Sequence, residues 1–132
     1  MPTGDADADM KINRAIHEIG ESLAPQLWVD DSHLTDLGRR VFHEEKEAAR
    51  ALTRIVSPPA GVAGVIDSLV AADRALARIA VDEATAAGGD PAILSDAEEQ
   101  MQKGDEEAAH RHMPEAIKHY GRAWKKAQLS SI

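Results

Sequence analysis

Residues 88–128 read GGDPAILSDAEEQMQKGDEEAAHRHMPEAIKHYGRAWKKAQ, and this stretch decides the fold class. Gly88-Gly89 closes a preceding helix, because glycine takes the left-handed conformation at a helix end without a Cβ clash. Asp90 and Pro91 open the next one, with Asp as N-cap and Pro at the first helical position. Ile93, Leu94, Ala97, Met101, Gly104 and Ala108 recur at helical spacing and predict a helix over 91–110. Arg111, His112, Met113 and Pro114 make a turn. Met113, Ile117, Tyr120, Trp124 and Ala127 mark the buried face of a helix over 114–129, whose negative end suits Lys125 and Lys126. The stretch therefore reads as a helical hairpin.

Upstream, Val62, Val65, Ile66, Leu69, Leu76, Ile79 and Ala80 stripe a long helix over 62–87, with Asp73 and Arg74 expected on its exposed flank or paired with neighbours. The break Ser57-Pro58-Pro59-Ala60-Gly61 separates it from a helix over 37–56 faced by Leu37, Val41, Ala48, Leu52 and Ile55. At least one of Glu44 and Glu45 interrupts that face, and a carboxylate at its edge, reaching solvent, is expected. A connection anchored by Trp28 comes before it. The first helix is expected from about residue 9 or 10, with Ile12, Ile16, Ile19, Leu23 and Leu27 on one face, and Pro25 ends or kinks it. Residues 1–9 read as a flexible acidic N-terminus and 10–132 as one helical domain. The expected fold is all-α: a compact antiparallel bundle of about five helices closed by the 88–128 hairpin.

Composition narrows the function. Alanine supplies 24 of the 57 apolar residues, so the core is thin and helices must approach closely. An alanine-rich core leaves room for an uncovered apolar face, which a homodimer would cover. The net charge of −8 argues against a nucleic-acid partner. No apolar run approaches the ~20 residues of a membrane span, so no membrane insertion is expected. Without cysteine there is neither a disulfide framework nor a thiolate metal site.

Three chemistries were weighed on the residues. Asp5, Asp7, Asp9 and Asn13 fall at ligand positions of a calcium loop, but Met10 replaces its turn glycine and Ile16 its final carboxylate. Around the last turn, His110, His112, Glu115 and His119 form a candidate metal set for zinc or copper, with Glu107 and His43 as further contributors. Glu107 and His110 make a single Glu-x-x-His pair, where a di-iron bundle needs two. No serine sits in a nucleophile elbow and no glycine-rich phosphate loop occurs, so an enzyme is not the expected reading.

Gly104, Ala116, Tyr120 and Ala123 fall at the small and aromatic positions of a tetratricopeptide repeat, which the hairpin resembles. Gln100, Lys103 and Glu107 stand where that repeat has its other large residues, and Arg111 stands where it has a turn glycine. One unit is visible, against about three in an array. More widely, SLAPQLWVDDSHL, GRRVFHEEKEAARAL, LVAADRALARIAVDEATAAGGDP and EAIKHYGRAWKKAQ resemble an uncharacterised helical module found near the C-termini of exported bacterial and archaeal proteins. That resemblance implies a non-catalytic interaction or spacer role in a larger extracellular or cell-surface chain. From the residues alone, a cytoplasmic protein stays open.

Overall fold

A computed structural model describes residues 4–131. Five helices carry the fold: α1 (Ala6–Ser22), α2 (Arg39–Thr53), α3 (Val62–Ala86), α4 (Pro91–Ala109) and α5 (Met113–Leu129). The class is all-α, with one small addition between α1 and α2. A 3-10 turn at Pro25–Leu27 leads into an antiparallel ladder of β1 (Trp28–Asp30) and β2 (His33–Leu34), where Trp28 pairs with Leu34. The hairpin is fastened at both ends. The Trp28 indole donates to the Ser22 carbonyl at 2.7 Å, and His33 sits between Asp30 and Glu83 of α3, 2.8 Å from each.

The start of α1 corrects the expected boundary. Asp5 accepts from the Asp7 and Ala8 amides at 3.0 and 3.3 Å, so the helix begins at Ala6 and the acidic run is its first turn. Asp7 faces Lys11 at 2.7 Å, four residues on, and the stretch weighed as a calcium loop is helical. The buried face of α1 is also rotated from the expected one. Ala8, Ala15 and Ser22 are buried, Ile12 and Ile19 are half-covered, and Ile16 and Leu23 are 59% and 62% exposed. Small residues win the inner face because they let α1 lie close against α2, which shows it Ala48, Ala51 and Leu52.

α5 is the centre of the bundle, packing on α4, α3 and α2. Its small residues set the distances. A Cβ at Gly104 of α4 would lie 2.5 Å from the Tyr120 ring, so only glycine lets that ring seat between the helices. The Tyr120 hydroxyl donates to Asp105 at 2.5 Å, and Arg74 of α3 holds the same carboxylate at 2.8 Å. Three helices are thus joined through one carboxylate. Arg74 keeps Asp105 below its usual range, while burial and then Asp105 push the Tyr120 phenol up. On the other side, a Cβ at Gly121 would meet the Phe42 Cβ at 2.9 Å, and one at Gly38 would meet the Trp124 ring at 2.8 Å. These contacts run α2 and α5 antiparallel and bring Phe42, absent from the expected face, within 6.0 Å of Trp124.

The punctuation in 88–128 is used as read. Gly88 has φ +80° and Asp90 caps α4 by accepting from Ala92 at 2.9 Å. Arg111 takes φ +62° in the α4–α5 turn, a conformation uncommon outside glycine, and its guanidinium reaches Asp67 of α3 at 3.0 Å.

Candidate functional site

Arg39, His43 and Lys46 are four and three residues apart, which lines them along one side of α2. Lys118, Arg122, Lys125 and Leu129 do the same on α5. Because Gly121 and Gly38 let the helices pack antiparallel, the two rows face each other across a groove of about 500 Å³. Phe42 and Gly121 form its apolar base, Leu129 its far end, and Gln100 of α4 and Lys126 its rim. Lys118 is neutralised by Glu115 at 3.0 Å, and Lys126 lies 3.8 Å from Asp96. Among the described residues, Arg39, Lys46, Arg122 and Lys125 form no ion pair. A chain of net charge −8 therefore concentrates uncompensated positive charge in one concave place.

The residues expected to hold a metal are not brought together. His110 turns its Nδ1 to the Glu106 carbonyl at 2.8 Å, and His112 pairs with Glu107 at 2.9 Å. Their rings stack 6.2 Å apart. His119 faces Gln100 at 2.8 Å, where burial, then Lys118 and Arg122, hold its imidazole below the usual value. Glu115 bonds Lys118, and His43 lies in the basic groove. Among the described residues, no three His, Asp or Glu side chains form a group able to hold a metal ion.

Two carboxyl pairs were missed by sequence reasoning. Asp73 of α3, expected on an exposed flank or paired with a neighbour, is 0% exposed; Glu45 of α2, expected to reach solvent, is 6% exposed. They meet in the interior, where neither oxygen of Asp73 finds a donor on any uncharged neighbour. Ser22 of α1 sits beside Glu45, its own hydroxyl donating to the Ile19 carbonyl at 2.7 Å. Two charges cannot share such a place, so one proton is held between the carboxyls and supplies the missing donor. Burial raises both groups, and for Asp73 the neighbouring Glu45 raises it further. The signal was available: Asp73 falls in the stripe Val62, Ile66, Leu69, Asp73, Leu76, Ala80.

At the α1–α2 contact, Glu44 is hydrogen-bonded to Glu18 of α1. That contact, then burial, pushes Glu44 up to about 7, against the pull of Arg40. The folded value is raised, so the contact contributes most below the ordinary carboxylate range and is lost as pH rises through about 7. Carboxyl-carbon NMR should show Glu44 titrating near neutrality, and Glu18→Gln should return it toward ordinary glutamate. A midpoint unchanged by Glu18→Gln would remove Glu18 as the cause.

A third surface is apolar. Ile12, Ile16, Ile19, Leu52, Val62 and Val65 line a groove of about 390 Å³ between α1 and the start of α3. No helix is long and apolar enough to cross a membrane. No protein-family model, curated protein or solved structure matches this chain.

Proposed function

We propose that the chain is a non-catalytic helical interaction module, acting as an accessory unit of a larger surface or exported protein. The observation that supports it is the groove between α2 and α5. It is open, its walls carry more cations than the neighbouring Glu115 and Asp96 neutralise, and its base is the apolar edge of Phe42. Such a place binds an anionic partner by charge and holds it by contact with the base. The buried acids offer no competing catalytic reading. Glu45 and Asp73 lie inside the core, away from any pocket a substrate enters. The accessory role in a surface protein comes from the resemblance of the four segments quoted above.

Selection of peptides from a display library against the folded chain tests this reading. Ligands should be enriched whose contacts, mapped by amide NMR shifts, fall on Arg39, Lys46, Arg122 and Lys125. The same protein should release no product from chromogenic ester, phosphoester, peptide and glycoside substrates. Turnover that survives repurification and disappears on a single substitution would overturn the reading.

A further inference from the structure

The α2–α5 groove is longer than it is focused. From Lys118 to Leu129 the α5 wall runs 11 residues, about 16 Å at the helical rise. The cations stand in two rows, Arg39 and Lys46 seven residues or about 10 Å apart along one wall, Arg122 and Lys125 three residues apart on the other. They do not converge on one point, as a single phosphate would need. A length of about 16 Å matches roughly five residues of extended peptide. The apolar base at Phe42 and Gly121 lies between the rows, where one side chain of such a peptide would rest.

The surroundings exclude a long polyanion. Asp96 stands at the rim beside Lys126, Glu115 beside Lys118, and the chain as a whole carries −8. A duplex or a lipid surface would meet this acidic surround, whereas a short segment confined to the groove would not. From this we infer that the groove receives a short acidic protein segment: Asp or Glu side chains reach both cation rows and a central apolar residue sits over Phe42. This rests on the interaction-module reading and adds the class of partner.

The test uses the full chain and a synthetic seven-residue peptide of Asp and Glu with one central Leu. Amide shifts should map to α2 and α5 around the groove, and affinity should fall as salt is raised. Reversing Lys46, Arg122 and Lys125 together to Glu should weaken binding by about tenfold or more. Reversing Arg14, Arg54 and Lys103, which lie outside the groove and change the net charge equally, should alter it by less than about twofold. Circular dichroism of both variants verifies folding; should the groove triple fail to fold, the single variants Arg122→Glu and Lys125→Glu replace it. Replacing the peptide's acids by Gln should abolish the shifts, and replacing its Leu by Ser should weaken them.

Inorganic phosphate, a single-stranded DNA oligomer and phosphatidylserine vesicles are run in parallel. Tighter binding of any of these at the same groove overturns the acidic-segment inference and leaves the interaction module standing. No binding of any probe, or equal weakening by both triple variants, overturns both.

Discussion

Trp124→Ala lowers the unfolding free energy by about 3–5 kcal/mol, the range for truncating a buried aromatic. The whole stability of a domain this size is about 5–15 kcal/mol, so the variant should melt far earlier or lose its fixed core. The size of the effect follows from where the ring sits. Trp124 is buried, packs 6.0 Å from Phe42 at a 41° tilt, and lies over Gly38 beside Leu34. One side chain therefore joins α5, α2 and the β1–β2 hairpin. The thin, alanine-rich interior has few large groups to move into the vacancy. Urea denaturation followed by circular dichroism measures the loss, with Trp28 as a second reporter. A loss below about 1 kcal/mol would mean that the α2–α5 seam is held by something other than this contact.

The second large effect is a fall in stability with rising pH, carried by Glu45 and Asp73. Their folded values lie above the ordinary 4.5 and 3.8, because burial opposes both charges and, for Asp73, the facing Glu45 adds to the rise, while the contacts to Asp73 and Ser22 draw Glu45 only part of the way back. The folded chain therefore holds more protons than the unfolded chain once pH passes those ordinary values. Stability is full below them and is lost as pH rises toward the folded values, at about 1.4 kcal/mol per pH unit for each extra proton. Glu44 and His33, both raised, act in the same direction. His119, held below its usual value, acts in the opposite one. Asp30, Asp105 and Glu115 are lowered and lose their contribution only in acid, outside this window.

Glu45→Gln with Asp73→Asn replaces the shared proton by amide donors that do not titrate. The double variant should be more stable than the parent at pH 8, by about 1.4 kcal/mol for each pH unit over which the folded parent holds an extra proton. It should also show a flatter profile between pH 5 and 8. A parent whose stability rises across that window would contradict a raised pair.

The helix count, the breaks at 57–61 and 88–91 and the cap at Asp90 were legible because each rests on neighbouring residues. The close approach of Gly104 to Tyr120 was legible for a related reason, since both lie in one hairpin. Features that depend on which helices meet were not. Glu45 reads as a solvated acid and Asp73 as solvated or paired with an unnamed neighbour, and only the α2–α3 contact puts them side by side. On α1 the large apolar residues Ile16 and Leu23 point to the wrong face. Close packing instead chose Ala8, Ala15 and Ser22. The basic groove was hidden by the net charge. On α2 its cations alternate with acids, and they meet the basic row of α5 only when the two helices lie antiparallel. The strands β1 and β2 were too short, at three and two residues, to leave a period in the sequence.

The central place of α5 has a consequence for synthesis. It is the last helix in chain order, yet α2, α3 and α4 all bury their inner faces against it. A nascent chain that has emerged only through α4 lacks the partner for Phe42 and for Gly104. The ribosome adds roughly 5–20 residues per second, so those faces stay uncovered for at least the second or so needed to make α5. The polar outer faces and the acidic charge of the emerging helices keep such chains apart until the core can close around its final element.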